Sequence, residues 1–369
     1  VWTGGAGPPV STPADRYHGF FGKGKDRCSG GAGRERAACS LTARGSRSGG
    51  EKSSASPCEG PSSISRSRAV TNPRIVMRAT YRSFAKINLH LEVLGVRPDG
   101  YHELSTVFQT VDLHDRVSLE VGGRGVDLEV VGHPLPSDER NLARQAATSF
   151  LAAWPLAGGA RMTLEKRIPV GGGLGGGSSN AATVLLGLRE LLGAEQATHA
   201  DLEELARALG ADVPYFLTGG TALGVGRGDE IVALPDLAPR EMWLVTPRVE
   251  VSTAEVFRDF GELTAHREVS SMGRLSWEEG ADWQMVDRAW NDLEPSVVRR
   301  FPEVRRVYNA LVEAGAGLVR LSGSGATWIA SFEESVGRAD LESRLPSSCR
   351  VFHVRTLKRS ALRRLRVVQ

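Results

Sequence analysis

The residues best suited to chemistry in this chain form a glycine-rich run that ends in two serines. Six of the seven residues 171–177 are glycine, and Ser178 and Ser179 follow directly. Glycine lets a ligand approach main-chain N–H groups closely. An apolar, helix-forming run, Ala181 to Leu192, comes next, and the first N–H groups of a helix are unpaired at the positive end of its dipole. The pattern therefore predicts a phosphate-binding loop.

Three other interpretations of this loop are weaker. A P-loop needs a lysine after the last glycine, and Ser178 stands there. A dinucleotide-binding loop needs an acidic residue about 20 positions further on. Glu190 and Glu195 lie in that range, but Glu190 falls inside the predicted helix. A flexible linker does not normally lead straight into a periodic helix. The two serines serve either as hydroxyl donors to a phosphate or its Mg²⁺, or as helix N-caps.

Two charged side chains are candidates for acid–base and electrostatic roles. Lys86 lies in a strand with alternating apolar residues, so Lys86, Asn88 and His90 share the face opposite the core set. We treat His90 as a bystander or a packing residue. Asp212 lies just before Val213 and Pro214, and proline disfavours helical geometry at the preceding residue. From the residues alone, Asp212 is either a base on a stiff turn or the cap of the next element.

Four segments of the chain resemble the GHMP kinases, named for galactokinase, homoserine kinase, mevalonate kinase and phosphomevalonate kinase. They occur in family order and span about residues 80 to 360. Besides the glycine loop, they are Ala85-Lys86-Ile87-Asn88-Leu89, Arg97-Pro98-Asp99-Gly100-Tyr101-His102-Glu103-Leu104 and Gly210-Ala211-Asp212-Val213-Pro214-Tyr215-Phe216. A further stretch, Leu321-Ser322-Gly323-Ser324-Gly325-Ala326, is similar to the third glycine motif of the family and is expected to approach the phosphates or the glycine loop.

The resemblance implies an α+β, two-domain GHMP-kinase fold. Its N-terminal, ATP-binding domain is ribosomal S5 domain 2-like and is expected at residues 78–235. Its C-terminal domain is ferredoxin-like and is expected at residues 236–369. The active site is expected between the two domains.

The same resemblance implies a kinase that uses ATP with Mg²⁺ and has Asp212 and Lys86 as its catalytic pair. Mg²⁺ is expected to arrive with ATP, so no dedicated metal site is predicted. The ATP-binding residues would be Pro169, Val170, Gly171, Gly172, Gly173, Leu174, Gly175, Gly176, Gly177, Ser178 and Ser179, with Asn141 near the adenine.

The substrate implied by the resemblance is a cytidine-diphosphate-linked polyol. Tyr101 would offer a flat face to the pyrimidine, His102 would meet its polar edge, and Phe257 would lie over the ring as a second aromatic. Asn88 would position the polyol. Without the resemblance, Tyr101 and Phe257 are more often core aromatics. A homoserine or mevalonate type of kinase, and a non-catalytic nucleotide-binding protein, remain alternatives.

Composition places the chain among ordinary globular proteins, and its net charge is +3. Residues 1–77 are expected to be a disordered leader or upstream extension, since the first methionine is Met77; a transit peptide is the alternative. We expect no nucleic-acid or membrane partner and a monomer or weak homodimer. The expected location is the bacterial cytoplasm, with the plastid stroma as the alternative.

Further elements follow from periodicity and turn residues. A turn is predicted at residues 97–100. The predicted strands and helices are, in order, strands 116–121 and 126–131, helices 141–154 and 201–209, strand 242–246, helices 276–293 and 302–314, and a last strand 349–357.

Overall fold

The computed structural model describes residues 77–156, 158–264, 277 and 281–368. The predicted leader therefore lies outside the described residues, apart from Met77. The described strands are β1 (Met77–Val96), β2 (His102–Val121), β3 (Gly125–Val131), β4 (Gly159–Glu165), β5 (Thr221–Gly226), β6 (Glu230–Ala233), β7 (Glu241–Thr246), β8 (Leu318–Leu321), β9 (Trp328–Ser331), β10 (Arg350–Arg355) and β11 (Val367–Val368).

Helices cover much of the remaining chain. They are α1 (Leu142–Ala153), α2 (Gly176–Leu191), α3 (His199–Leu209), α4 (Val213–Thr218), α5 (Thr253–Thr264), α6 (Trp283–Arg288), α7 (Glu294–Arg300), α8 (Pro302–Glu313), α9 (Arg338–Arg344) and α10 (Arg359–Leu365). None of the helices in the described part of the chain is both long and apolar enough to cross a membrane.

The strand that carries Lys86 and Asn88, β1, belongs to a seven-stranded sheet. Its main order is β11-β1-β2-β4-β3, while β5 pairs with β2 and β6 pairs with β5. The antiparallel pair β1–β2 runs the length of the sheet, and the turn predicted at 97–100 joins its two strands, with Gly100 N–H donating to the carbonyl of Arg97 at 3.0 Å. Among the described strands, β3 and β4 are the only pair that runs in parallel.

A second sheet contains four antiparallel strands in the order β10-β7-β9-β8. The predicted strand 349–357 is observed as β10, but it is not the last element. The chain continues through α10 and returns to the first sheet, where β11 pairs with β1. Mixed sheets with helices outside strict βαβ alternation are typical of the predicted α+β class.

Helix α2 is packed closely on the first sheet. The three- and four-residue spacing of Ala181, Leu185, Leu188 and Leu192 predicts a core stripe. The first three are fully buried, and Leu192 is half-buried. Gly187 allows the close approach, because a Cβ atom there would lie 2.5 Å from Leu119 and 2.9 Å from the ring of Tyr81. This packing fixes the beginning of α2, where the glycine-rich run enters it.

Strand β1 departs from the simple alternation that its sequence predicts. Both of its faces are covered, so Lys86, Asn88 and His90 are only 3%, 2% and 1% exposed. Register shifts fall between Phe84 and Lys86 and between Asn88 and His90. Such irregularities change the direction of side chains, and they separate His90 from the other two residues.

His90 occupies an aromatic environment, in agreement with the packing role expected of it. Its ring lies 4.7 Å from that of Trp290 and 5.4 Å from that of Trp277. Burial, with a smaller effect of the Arg320 charge, lowers the pKa of His90 to about 3. The imidazole is therefore neutral at physiological pH and takes no part in the charged cluster around Lys86.

Three predictions about helices need correction. Helix α2 begins at Gly176 rather than Ala181, because first-turn residues need no intrahelical N–H partner. Val213 is helical, as the first residue of α4, because Pro214 occupies a first-turn position where its missing N–H costs nothing. Of the helix predicted at 276–293, the described residues form only α6 (Trp283–Arg288). The backbone groups of Trp290 and Asp292 hydrogen-bond to Leu91 of β1 instead of continuing the helix.

Candidate active site

The glycine-rich run forms a loop whose backbone only glycine adopts readily. Gly171, Gly173 and Gly175 have φ angles of 70°, 74° and 66°, in the left-handed region. Gly175 is the N-cap of α2, and it has no side chain to pair with the first N–H groups of the helix. A Cβ atom at Gly175 would lie 2.7 Å from the ring of Phe216. The loop therefore presents main-chain N–H groups at a helix N-terminus, which favours an anion.

The segment after β8 lies against this loop, as the third glycine motif predicts. The hydroxyl of Ser322 donates to the carbonyl of Gly173 at 3.0 Å, and Thr327 N–H donates to the carbonyl of Gly172 at 3.3 Å. Ser322 Oγ also accepts from Asn88 N–H at 3.3 Å. One serine thus joins the glycine loop to strand β1.

Lys86 and Asp212 lie together beside the loop. Lys86 Nζ is 3.3 Å from Asp212 Oδ2, and their side chains are 4% and 37% exposed. Lys86 Nζ also donates to Asn88 Oδ1 at 2.7 Å. A Cβ atom on Gly175 would come within 3.1 Å of Lys86 Cγ, and one on Gly323 within 3.6 Å of Lys86 Nζ. The ammonium group is therefore held between both glycine segments and a carboxylate that reaches solvent.

Asp212 stands at the N-cap position of α4 but does not act as a cap. Its side chain makes no capping hydrogen bond, although aspartate is among the preferred N-cap residues. The carboxylate is directed instead to Lys86. Of the two interpretations that the residues alone left open, this geometry favours a carboxylate available to a ligand.

The three predicted aromatic residues do not form a single cluster. His102 stacks on Phe257 of α5, with ring centroids 4.8 Å apart and planes 28° apart. Tyr101 is 59% exposed, and the guanidinium carbon of Arg227 lies 5.3 Å from its ring centroid. Partial burial lowers the pKa of His102, so its ring is neutral at pH 7.

Two other predicted ligand residues have side chains that are already engaged. Asn141 is the N-cap of α1: its Oδ1 accepts from Ala143 N–H at 3.0 Å, and its Nδ2 donates to the carbonyl of Pro136 at 2.8 Å. Ser179 is buried and donates its hydroxyl to the carbonyl of Phe84 at 2.6 Å. Ser178 is half-buried in the same turn, so it is the better hydroxyl donor of the two serines.

Two family descriptions match this chain: GHMP kinases N terminal domain over residues 141–220, and GHMP kinases C terminal over residues 272–350. The 4-diphosphocytidyl-2-C-methyl-D-erythritol kinase of Deinococcus radiodurans is 42% identical over 246 residues, covering 66% of this chain and 80% of that protein. The kinase of the same name from Pelotomaculum thermopropionicum is 43% identical over 246 residues, covering 66% of this chain and 85% of that protein. This chain belongs to that kinase family, within the GHMP kinases.

A solved structure supports the same assignment. The crystal structure of a 4-(cytidine 5'-diphospho)-2C-methyl-D-erythritol kinase is similar to this chain with a TM-score of 0.62 and 35% sequence identity. The match covers 75% of this chain and 98% of that one. The predicted α+β GHMP-kinase fold is therefore confirmed.

The kinase has a buried polar network beneath its glycine loop that the sequence analysis missed. Lys166 Nζ donates to Asp115 Oδ2 and, at 2.9 Å, to Asn180 Oδ1. Asp115 Oδ1 accepts from the N–H groups of Arg167 and Ile168 at 2.6 and 2.9 Å. A Cβ atom on Gly176 would lie 3.2 Å from Lys166 Nζ. The network thus fixes the chain that enters the loop and the helix that leaves it.

Only part of this network had a signal in the sequence. Lys166 stands close before the glycine run, and Asn180 directly follows the two serines. Asp115 lies in the polar stretch Leu113-His114-Asp115-Arg116, where nothing distinguishes it from a surface residue. Its burial depends on the pairing of β2 with β4, which local patterns do not reveal.

Proposed function

We propose that this chain transfers the γ-phosphoryl group of ATP to the 2-hydroxyl of 4-diphosphocytidyl-2-C-methyl-D-erythritol. The products are ADP and the 2-phosphate, a step toward isoprenoid precursors in the methylerythritol phosphate pathway. The observation that carries the chemistry is the 3.3 Å pair of Lys86 and Asp212 beside a helix N-terminus rich in glycine. The names of the relatives support the substrate.

The glycine loop is proposed to hold the phosphates of ATP. The N–H groups of the first turn of α2 have no intrahelical partners, and the glycines leave no side chains in front of most of them. Phosphate binding at such a helix end is stabilised by both hydrogen bonds and the helix dipole. The loop therefore fits the negative charge of a triphosphate. Asn141 is proposed to lie near the adenine through its position beside α2, because its amide is engaged in capping α1.

Asp212 and Lys86 are proposed to prepare the acceptor and to stabilise charge. The substrate hydroxyl gives its proton to the Asp212 carboxylate as its oxygen bonds to the γ-phosphorus, and the bond from that phosphorus to the leaving oxygen of ADP breaks. The Lys86 ammonium offsets negative charge on the transferred group. Asn88 accepts from Lys86 at 2.7 Å and donates to Thr106 Oγ1 at 2.8 Å, so it is proposed to hold the ammonium in this direction and to position the polyol through it.

Mg²⁺ fits this site as an ion that arrives with ATP. Within the described residues, no group of three or more His, Cys, Asp or Glu side chains is arranged to hold a metal. Mg²⁺ commonly keeps several waters and binds through substrate phosphates with one or two carboxylates. We propose that the phosphates held by the glycine loop and water molecules supply most of the ligands of this ion. When bound, the ion neutralises part of the phosphate charge.

The cytosine ring is proposed to bind against Tyr101, with His102 at its polar edge. The neutral His102 ring offers one donor and one acceptor nitrogen. Phe257 stacks on His102, with ring centroids 4.8 Å apart. We therefore propose that Phe257 holds the imidazole in place as well as covering the pyrimidine. An aromatic platform suits a nucleobase better than the small aliphatic substrates of homoserine or mevalonate kinases.

The proposed domain boundary lies in the connection between β6 and β7. The chain passes there from the seven-stranded to the four-stranded sheet, near the boundary expected at residue 236. Strand β11 belongs to the first sheet by pairing, although it follows the second in sequence. The proposed setting is a cytoplasmic enzyme that acts as a monomer or weak homodimer.

A coupled ADP-release assay on the full chain tests the proposed function. With Mg²⁺ and ATP, we expect turnover with 4-diphosphocytidyl-2-C-methyl-D-erythritol and background rates with homoserine or mevalonate. Chelation with EDTA is expected to abolish turnover, and added Mg²⁺ to restore it. Equal rates with homoserine or mevalonate, or ATP binding without ADP release for every substrate, would contradict the proposal.

A matched pair of glycine variants tests the phosphate-binding role of the loop. Gly171 and Gly173 both have positive φ, so alanine at either costs about 1–2 kcal/mol of backbone strain. A Cβ atom on Gly171 meets nothing within 4 Å, whereas one on Gly173 overlaps the carbonyl oxygen of Ser322. We expect Gly173→Ala to raise the KM for ATP by about tenfold, equivalent to about 1.4 kcal/mol.

Gly171→Ala is the comparison for this pair: it carries the same backbone strain without the overlap, so it should raise the KM for ATP less than Gly173→Ala does. Both variants should keep the wild-type KM for the cytidylated substrate. If the two substitutions raised the KM for ATP equally, the close contact between Gly173 and the carbonyl of Ser322 would not be what shapes the loop for ATP.

A further inference from the structure

Tyr101 has a fixed backbone but an exposed ring. Arg97 N–H donates to the carbonyl of Tyr101 at 2.7 Å, and Tyr101 N–H donates to Asp99 Oδ1 at 3.1 Å. The residue is nevertheless 59% exposed. A side chain with free rotamers loses conformational entropy when a ligand orders it, which weakens binding. The affinity for a nucleobase that stacks on Tyr101 is therefore higher if a neighbouring residue already holds the tyrosine ring in place before the ligand binds.

Arg227 is placed to be that neighbour. Its guanidinium carbon lies 5.3 Å from the Tyr101 ring centroid, within the range of a cation–π contact. Arg227 lies between Gly226 and Gly228, whose φ angles are 69° and 87°. Gly228 N–H closes this turn onto the carbonyl of Val225 at 3.0 Å. The turn between β5 and β6 thus directs Arg227 toward Tyr101, which directly precedes β2.

The guanidinium group is itself held in one orientation. Arg227 Nη2 donates to Asp229 Oδ2 at 2.6 Å, and Nε donates to the same oxygen at 3.2 Å. Asp229 is only 6% exposed. A planar guanidinium that is fixed by two hydrogen bonds is well suited to lie over an aromatic face. The sequence of contacts therefore runs from a buried carboxylate through an arginine to an exposed ring.

We propose that Arg227 is a positioning residue for substrate recognition: it lies over one face of Tyr101 and leaves the other face for the pyrimidine. The inference rests on the proposed binding of cytosine at Tyr101. Arg227 lines a cavity of about 700 Å³ together with Arg97 and Asp99, which both hydrogen-bond to the backbone of Tyr101. Arg227 acts through Tyr101 and not on the reacting atoms, so its effect should appear in the KM for the cytidylated substrate.

The test compares variants of the full chain by steady-state kinetics with both substrates. An exposed cation–π contact contributes about 0.5–1 kcal/mol, so we expect Arg227→Ala to raise the KM for the cytidylated substrate by about two- to fivefold. The kcat and the KM for ATP should remain at wild-type values. Arg227→Lys keeps a cation and should restore part of the affinity. The matched control is Arg207→Ala, since Arg207 lines the same cavity from α3 and pairs with Glu203 at 3.1 Å.

A double-mutant cycle separates positioning from general stabilisation. In the Tyr101→Ala background, Arg227→Ala should cause no further rise in the KM for the cytidylated substrate, because the two residues act as one unit. Additive effects, a kcat that falls with unchanged KM, or an equal effect of Arg207→Ala would overturn the inference. A variant that unfolds, judged by its thermal transition, is replaced in the cycle by Arg227→Lys.

The same experiment distinguishes failure of the inference from failure of the site assignment. If Tyr101→Ala leaves the KM for the cytidylated substrate unchanged, the proposed cytosine site is wrong. If Tyr101→Ala raises that KM while Arg227→Ala does not, the cytosine site stands and the role of Arg227 is wrong.

Discussion

Asp212→Asn is expected to lower kcat by about 10²- to 10⁴-fold, the range typical of general acid–base catalysis. The amide has nearly the same shape as the carboxylate but does not accept the proton of the substrate hydroxyl. It also lacks the charge that attracts Lys86 Nζ, which is 3.3 Å away. Since the glycine loop makes the proposed contacts with ATP, the KM for ATP should change by no more than about twofold.

The measurement is single-turnover and steady-state ADP release with pure protein. Asp340→Asn is the control, because Asp340 pairs with Arg344 on the exposed surface of α9 and should leave kcat unchanged. Wild-type kcat in Asp212→Asn would show that this carboxylate does not take the proton. A large rise in the KM for ATP without a loss of kcat would assign Asp212 to nucleotide binding instead.

Asp115→Ala is expected to have the largest effect on folding. Removing one partner of a buried ion pair typically costs about 3–5 kcal/mol, because the other charge stays buried without compensation. Here the substitution leaves the Lys166 ammonium, whose side chain is 3% exposed, without its carboxylate. It also removes the acceptor of the Arg167 and Ile168 N–H groups.

Urea unfolding measures this loss as a lower midpoint at an unchanged m-value. Asp340→Ala is the matched control, since it removes an exposed ion pair and should cost at most about 1 kcal/mol. Equal midpoints for the two variants would contradict the importance of the buried network. Because the network adjoins Gly176, we also expect Asp115→Ala to weaken ATP binding at temperatures where it remains folded.

The sequence predicts those features that depend on local patterns. The period of two in β1 correctly places Lys86 and Asn88 on one face, where Lys86 Nζ meets Asn88 Oδ1 at 2.7 Å. It fails for His90, which a register shift separates from them. The apolar spacing in α2 correctly identifies Ala181, Leu185 and Leu188 as buried, but the fourth residue of the predicted stripe, Leu192, is half-buried at the C-cap. The correct predictions hold because the alternation of a strand and the repeat of a helix are properties of neighbouring residues.

Other features were predicted wrongly or missed because they depend on contacts between residues that are distant in sequence. Glycine has a low helix propensity, so the sequence does not indicate that α2 begins at Gly176. The start of the helix is set by its packing on the sheet. Trp290 and Asp292 pair with β1, so the predicted helix does not continue through them. The contact of Tyr101 with Arg227, like that of Asp115 with Lys166, joins segments distant in sequence that only the pairing of the sheet brings together. The proposed roles of the site residues stay predictions until they are measured.

The hydrogen bonds from Ser322 and Thr327 to the glycine loop have a consequence for biosynthesis. A polypeptide emerging from the ribosome lacks these donors until long after Gly173 has been translated. Under the proposed role of the loop, nucleotide affinity would be acquired late, when the carboxyl-terminal third of the chain docks. ATP would then bind the completed enzyme and not the unfinished one, and so would favour the finished product over its precursors by mass action.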